Sequence, residues 1–230
     1  MTRKGVWAAG LAGTVCLTSA ASASFTGWMF DSYATDDMAF AVIDVYAQFD
    51  DSTDTVLNVF NSMINTSTGV EFHHNDFNTL GGLAGAWNVV QSGNIPDVVD
   101  ASIDSFVLIG GAIGGTNSTA LDPSFDPSTG GTVATNAGWF NSNPPNLQGR
   151  VDADSLRTWV ARFVIVGTDA AVTLNFAANL GYNQGLGTPA QFAYDNGQGS
   201  GPMVEVDFVP APGAIALLGL AGLAGRRRRN

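Results

Sequence analysis

Residues 156–166, LRTWVARFVIV, carry the clearest structural pattern in the chain. Apolar side chains recur with a period of two, and most are the β-branched or aromatic types that strands favour. The pattern predicts one face formed by Trp159, Ala161, Phe163 and Ile165, and an opposite face formed by Val160, Val164 and Val166. We therefore predict a β-strand here.

The same period recurs elsewhere. In FAVIDVYAQF, residues 40–49, Asp44 and Gln48 lie opposite an apolar face that consists of Ala41, Ile43, Val45, Ala47 and Phe49. Shorter β-rich runs, separated by Asn, Ser, Thr and Gly clusters, occupy residues 55–64, 70–74, 103–109, 172–180 and 203–208. The turn Gly167-Thr168-Asp169 predicts a hairpin between 156–166 and 172–180.

Seven or more short strands, with no convincing helix, predict an all-β fold. The architecture expected is a single antiparallel β-sandwich, for which a jelly-roll-like topology is one option. We assign the sandwich to residues 24–208, between two terminal segments of different composition.

One stretch of the body, residues 114–149, is rich in Gly, Asn, Ser, Thr and Pro. We predict a single long loop, and loops of such length are usually functional or disordered. Within it, Trp139 and Phe140 stand beside Asn141 and Asn143. An exposed aromatic ring flanked by amides would suit a glycan contact. The favoured interpretation, however, is that the aromatic pair pins the loop onto the sandwich, and the glycan contact is the alternative.

The last segment, residues 209–230, differs from the body. Pro210 and Pro212 cannot donate a backbone hydrogen bond, and residues 213–225 carry no charge. The basic cluster that follows consists of Arg226, Arg227, Arg228 and Arg229. A positive cluster after an apolar run is typical of a segment that meets the cytoplasmic face of a membrane. We predict a hydrophobic helix, although the run is shorter than the about 20 apolar residues of a full span.

This tail resembles the PEP-CTERM sorting signal, which consists of Val-Pro-Glu-Pro, a hydrophobic segment and a terminal arginine cluster. Val209, Pro210 and Pro212 match the first part, and Ala211 stands where the family usually has Glu. The resemblance is confined to the tail. It implies sorting by an exosortase-like membrane enzyme, and the family is associated with exopolysaccharide and biofilm production. An ordinary C-terminal membrane anchor is the alternative.

Residues 1–23 are predicted to be a secretory signal peptide. A positive start is followed by an apolar stretch, and the small residues Ala21 and Ala23 precede a predicted cleavage before Ser24. The only cysteine, Cys16, lies in this segment, so the mature chain would form no disulfide. Lipidation of that cysteine is an alternative, which the bulky Val15 before it argues against.

The charge of the body is strongly acidic. All 20 acidic residues lie between Asp31 and Asp207, and only Arg150, Arg157 and Arg162 oppose them, which leaves a formal charge of −17. Phosphate binding needs clustered Lys and Arg, so nucleic acid is not an expected partner. Arg157 and Arg162 are predicted to pair with acidic side chains across the sheet.

The two histidines lie in EFHHND, residues 71–76. In a strand, Glu71 and His73 would share one face, and His74 and Asp76 the other, so neither face offers three zinc ligands. We interpret them as surface histidines at the end of a strand.

Two acidic runs, DDSTD at 50–54 and DADS at 152–155, place oxygens at alternate positions, as calcium loops do. The first lacks the glycine and the final glutamate of such a loop, and Asn61 stands at the glutamate position. No cofactor is predicted. Calcium is an alternative, and aspartates that cap turns are the plainer interpretation.

No nucleophile elbow, zinc-protease motif, P-loop or dinucleotide fingerprint occurs in the sequence. The expectation is therefore a non-enzymatic protein of the cell surface or extracellular matrix, exported by the secretion machinery and held transiently at the membrane by its tail. One alternative is a carbohydrate-binding module that uses residues 114–149. Another is a secreted glycoside hydrolase with paired carboxylates.

Overall fold

The computed structural model describes residues 25–35, 39–66, 69–74, 87–89, 101–123, 131–166, 172–185, 190–194 and 204–206. Strands found in these ranges are β1 (Phe25–Ala34), β2 (Phe40–Phe49), β3 (Thr55–Thr66), β4 (Phe106–Val107), β5 (Thr119–Leu121), β6 (Ala137–Asn141), β7 (Arg157–Val166), β8 (Val172–Asn183), β9 (Ala190–Tyr194) and β10 (Val204–Val206).

The strands form two antiparallel sheets, so the predicted all-β fold is confirmed. The first sheet has the order β1-β2-β7-β4, and the second has the order β10-β8-β3-β6-β5, with β9 paired to β8. Buried side chains from both sheets meet in one apolar cluster, which is the arrangement of a β-sandwich.

The core between the sheets draws on the central strands. Ile43 and Phe163 come from β2 and β7 of the first sheet, whereas Val59 and Leu180 come from β3 and β8 of the second, and all four are fully buried. The five apolar residues predicted to share one face of residues 40–49 all belong to this cluster. That prediction is confirmed.

The opposite face of β2 and β7 holds the charged pairs. Asp44 on β2 accepts two hydrogen bonds from Arg162 on β7, and Arg157 on β7 donates to Asp31 on the edge strand β1. The predicted pairing of these two arginines with acids across the sheet is confirmed. Val42, on the same face as Asp44, is also fully buried, so this face is not open to solvent throughout.

A β-bulge in β7 changes which side chains share a face. The pairing with β2 places Trp159 opposite Tyr46 and omits Val160 before it resumes at Ala161. Val160 and Ala161 therefore both enter the core, while Trp159 packs on the outer side against Phe106. The predicted faces of Trp159 and Val160 are wrong, because the extra residue of a bulge reverses the alternation.

Other sequence predictions need correction. The run 70–74 contributes an isolated bridge between Phe72 and Ile165 rather than a strand, and the run 103–109 contributes only the two residues of β4. Strand β1 has no counterpart among the predicted runs, because Gly27, Asp31 and Ser32 interrupt its apolar alternation.

The predicted hairpin between the strands now numbered β7 and β8 is wrong. β7 pairs with β2 and β4 in the first sheet, whereas β8 pairs with β3, β9 and β10 in the second. The connection between them therefore crosses from one sheet to the other, and the turn predicted at 167–169 lies outside the described residues.

Residues 114–149 are not one long loop. They contain β5, β6 and a 3₁₀ turn at Pro144–Asn146. Backbone pairing of β6 with both β3 and β5 integrates this stretch into the second sheet. Composition misled the prediction because strand pairing overrode the low strand propensity of Gly and Asn.

The terminal segments 1–23 and 209–230 lie outside the described residues, including the predicted C-terminal helix. In the part of the chain that the structure does describe, no helix has the length and apolar character needed to cross a membrane.

Candidate functional site

A groove of about 380 Å³ opens beside the outer face of the first sheet. One wall comes from β2 and β7, and the other comes from the chain around residues 110–111 and 148–155. The described lining residues are Tyr46, Gly110, Gly111, Gln148, Arg150, Asp152, Ser155, Arg157, Thr158 and Trp159. The volume lies in the range of small-molecule sites.

The sheet wall presents aromatic side chains and a guanidinium group. Tyr46 and Trp159 are cross-strand partners, with ring centroids 6.5 Å apart and an interplanar angle of 26°. Arg157 lies over the Tyr46 ring, 4.5 Å from its centroid, and its Nη1 atom donates to Asp31 Oδ2 at 2.9 Å. Burial raises the pKa of Tyr46, and the nearby Asp44 raises it further, so its hydroxyl stays protonated at neutral pH.

The part of the lining around residues 110 and 148 is fixed by Gln148. Its Nε2 atom donates to the carbonyl of Ile109 at 2.8 Å, and its Oε1 atom accepts from the backbone N–H of Ser118 at 2.7 Å. The backbones approach so closely that a Cβ on Gly110, whose φ is +66°, would overlap the carbonyl oxygen of Gln148. Glycine at position 110 is therefore what allows these two backbone stretches to lie side by side.

Asp152 is the one carboxylate among the described lining residues. Its Oδ1 atom accepts from the backbone N–H and the hydroxyl of Ser155, both at 2.8 Å, and from the N–H of Asp154 at 3.1 Å. These bonds, those from Ser155 first, lower the pKa of Asp152, so it is ionised at neutral pH.

Arg150 is the least committed cation of the body. It is exposed, and its Nε atom donates a long 3.5 Å bond to the carbonyl of Ser52. Among the described residues, no carboxylate lies within 4.0 Å of its guanidinium. Arg157 and Arg162, in contrast, each hold a carboxylate partner. Arg150 therefore has most of its five donors available.

The distribution of charge makes the groove unusual in this chain. Two of the three arginines of the body line it, and the third, Arg162, lies behind Trp159 with its guanidinium carbon 5.1 Å from the ring. Twenty acidic residues occupy the same stretch of sequence. The arrangement can hold a polar ligand that brings a negative charge to Arg150 and an apolar face to the aromatic wall.

The glycan contact predicted from sequence is not assembled as expected. Trp139 is only 1% exposed, and its Nε1 atom donates to the carbonyl of Leu108 at 3.1 Å. The favoured interpretation, in which Trp139 pins its segment onto the sandwich, is confirmed at this position, whereas the alternative of an exposed ring is wrong. Phe140 next to it is 40% exposed, because successive strand side chains point to opposite faces.

The amides near that pair are used internally. The Nδ2 atom of Asn141 donates to Asn146 Oδ1 at 2.9 Å, and its Oδ1 atom accepts from the backbone N–H of Asn143 at 2.9 Å. Asn141 is 3% exposed, whereas Asn143 lies on the surface. The side chain predicted to bind sugar hydroxyls thus stabilises the turn that follows β6.

One of the two histidines, His74, is not a surface residue, whereas His73 is partly exposed. The His74 side chain is 1% exposed and stacks on Trp87, with ring centroids 4.6 Å apart. Nδ1 of His74 lies 2.9 Å from the carbonyl of Ser105, and Nδ1 of His73 lies 2.6 Å from that of Ile103. The surface interpretation is wrong for His74, because the aromatic core covers it.

The two acidic runs form turns. Oδ1 of Asp51 accepts from the backbone N–H and the hydroxyl of Thr53, both at 2.8 Å, as Asp152 does from Ser155. Asp54 is fully buried, and its Oδ1 accepts from the N–H of Gly185 at 2.9 Å. In the described ranges, no three His, Cys, Asp or Glu side chains converge as a metal site.

Several predicted site residues lie outside the described residues. They are the cleavage residues Ala21, Ala23 and Ser24, the motif Val209, Pro210, Ala211 and Pro212, and the cluster Arg226, Arg227, Arg228 and Arg229.

No protein-family model, curated protein or solved structure matches the chain.

The groove was not predicted from the sequence, although the three arginines of the body were noted there. Arg150 precedes β7, and Tyr46 lies in β2, more than a hundred positions earlier in the sequence. The one available signal was the scarcity of basic residues in the body, because each of the few arginines marks a place where an anion could bind. Pairing of β2 with β7 is what brings them into one concavity.

Proposed function

We propose that this chain is an exported, non-enzymatic protein of the cell surface or extracellular matrix, sorted through its C-terminal segment. The observation that carries the proposal is the ordered sequence Val209-Pro210-Ala211-Pro212, an uncharged apolar run and four arginines at the end of the chain. A positive start, an apolar stretch and small residues at the other end are those of a secretory signal.

The composition of the body supports the same proposal. Between the terminal segments there is no cysteine, and the formal charge is −17. Such a domain stays soluble outside the cell and needs no oxidising step to fold. The groove offers one carboxylate among its described lining residues, whereas glycoside hydrolysis requires two that flank the bond, so the hydrolase alternative finds no support there.

The test is the C-terminal peptide of the protein recovered from bacterial envelope and culture medium, identified by mass spectrometry. Sorting requires that the exported form lack the arginine run and leave the inner membrane. Recovery of a chain in the inner membrane that still ends in Arg226–Arg229 and Asn230 would establish the plain anchor instead.

A matched pair of variants separates charge from processing. Replacing the four arginines with glutamine removes the positive stop, and we expect the unprocessed chain to accumulate. Replacing them with lysine keeps the charge and hence the membrane orientation, which follows Lys and Arg alike. Processing of the glutamine variant at the parental rate would show that the cluster is not part of the signal.

A further inference from the structure

The arginine and aromatic lining of the groove is a recognition surface with a defined chemistry. We propose that the groove binds a saccharide that carries a carboxylate, such as a hexuronic acid unit, with the carboxylate on Arg150. The proposal assigns a task to the folded body and does not depend on how the tail is processed.

Arg150 carries a charge that no described carboxylate neutralises. An exposed guanidinium that has only a 3.5 Å bond to the carbonyl of Ser52 can offer a planar fork to a carboxylate. No described carboxylate lies within 4.0 Å of it, although the body carries 20 acidic residues. A ligand carboxylate would supply the partner that the described residues do not.

Asp152 favours a carboxylate over a phosphate as the anion bound in the groove. Asp152 lies in the same groove and is ionised, because its Oδ1 atom accepts bonds from Ser155. The repulsion from this carboxylate grows with the charge of the ligand, so a singly charged group is tolerated better than a doubly charged phosphate. Arg157 is already neutralised in part by Asp31 at 2.9 Å, which leaves one uncommitted cation for one anionic group.

The aromatic part of the lining suits the remainder of the ligand. Tyr46 and Trp159 contribute an aromatic wall against which the apolar face of a sugar ring can pack. All three bonds that Asp152 accepts fall on Oδ1, so its Oδ2 atom is available to a sugar hydroxyl. A mixture of aromatic surface with a few fixed polar groups is what a polyhydroxylated ligand needs.

The groove is preorganised. Gln148 bridges Ile109, Ser118 and Thr119, and its two ends are therefore committed to the protein. The ordering of this wall is complete before a ligand arrives, which lowers the entropy cost of binding. Gln148 acts here as a positioning residue, since it holds Gly110 and the chain before Arg150 in place.

The experiment uses the full chain purified in mild detergent and titrated by calorimetry at low salt. The probes are trigalacturonic acid, its neutral counterpart made of galactose, sodium acetate and inorganic phosphate. We expect the uronic acid oligomer to bind, and the neutral oligomer to bind about tenfold or more weakly, which is what one charged hydrogen bond contributes. Equal binding of both oligomers, or competition by phosphate at the concentration of the oligomer, would overturn the proposal.

The variant Arg150→Gln removes the charge at an exposed position that makes one weak contact, so the fold is expected to persist. We expect it to lose about tenfold or more in affinity for the uronic acid oligomer and to leave the neutral oligomer unaffected. Phe140→Ala, on the exposed surface of β6 in the other sheet, is the matched control and should bind as the parent does. Loss of binding in Phe140→Ala with retention in Arg150→Gln would place the site elsewhere and refute the proposal. Because the readout is binding by purified protein, its failure is distinct from a failure of sorting.

Discussion

Arg162 and Asp44 form a two-point ion pair between β7 and β2, with Nε–Oδ1 at 2.7 Å and Nη2–Oδ2 at 2.8 Å. Both residues are less than a tenth exposed, and the guanidinium carbon also lies 5.1 Å from the Trp159 ring centroid. The pair joins the two central strands of the first sheet on the face opposite the apolar core. Its geometry is that of a fully engaged bidentate contact.

Removal of one member of this pair is expected to destabilise the fold strongly. Asp44→Asn leaves the buried guanidinium of Arg162 without its counter-charge, at a cost of about 3–5 kcal/mol in the free energy of unfolding. Replacing both residues by apolar side chains of similar size should cost less than either single change. The measurement is unfolding in urea. A single variant whose free energy of unfolding lies within about 0.5 kcal/mol of the parent would show that the pair contributes little to stability.

Two neighbouring aspartates should respond to pH with opposite signs. Burial raises the pKa of Asp54, so the folded chain binds that proton more tightly than the unfolded chain. The contribution of Asp54 to stability is therefore present below its ordinary pKa of about 3.9 and is lost as the pH rises through the folded value. Hydrogen bonds from Thr53 lower the pKa of Asp51, so its contribution is present above about 3.9 and is lost as the pH falls through its lower folded value.

The test compares Asp54→Asn and Asp51→Asn with the parent in urea unfolding between acidic and neutral pH. Relative to the parent, Asp54→Asn should gain stability as the pH rises, whereas Asp51→Asn should lose it. Parallel curves for the two variants would contradict the assignment of a buried, proton-retaining carboxyl to Asp54.

Alanine substitutions at two glycines should distinguish the cost of backbone strain from the cost of a steric clash. Gly110 and Gly114 have φ of +66° and +74°, so alanine at either position meets a left-handed conformation that costs roughly 1–2 kcal/mol. A Cβ at position 110 would also overlap the Gln148 carbonyl oxygen, whereas one at position 114 meets open space. We expect Gly110→Ala to lower the midpoint of urea unfolding clearly more than Gly114→Ala. Equal shifts would show that the approach of Gln148 is not tight.

Alanine substitutions of the two adjacent aromatic residues in β6 should lower the free energy of unfolding by different amounts. Trp139→Ala removes a buried indole and its bond to Leu108, for which we expect a loss of about 3–5 kcal/mol. Phe140→Ala alters a side chain that is 40% exposed and should cost far less. Thermal and urea unfolding of the two variants measure the difference. A mild effect of Trp139→Ala would contradict its role in pinning β6 to the core.

The strands with regular alternation were predictable from the sequence. β2 has the predicted bounds, and β7 begins one residue after its predicted start, because β-branched and aromatic residues with a period of two suit only a strand. The inversion at Trp159 was not predictable, since a bulge depends on the pairing register and leaves no mark in composition. Strand β6 was hidden for a different reason: its sequence AGWFN has too few apolar residues to show a period.

The candidate groove could be anticipated in only one respect, the scarcity of basic residues. Arg150 and Tyr46 belong to distant parts of the chain, and their proximity follows from the pairing of β2 with β7. The wall built by Gln148 depends on bonds to backbone groups at Ile109 and Ser118, which no local pattern encodes. The site therefore depends on long-range strand pairing, which the composition of the chain does not predict.

The order of the strands also has a kinetic consequence. Asp44 and Arg162 meet across neighbouring strands of the first sheet although 118 positions separate them, and Asn65 and Asn175 meet across β3 and β8 although 110 positions separate them. Neither sheet can form its central pairing until most of the body has been synthesised, and such topologies fold in roughly milliseconds to seconds. On the export route proposed above, in which the chain is threaded through a membrane in extended form, this delay would be useful, because premature closure would block the channel. On that route, the sandwich would assemble only after its late strands have crossed.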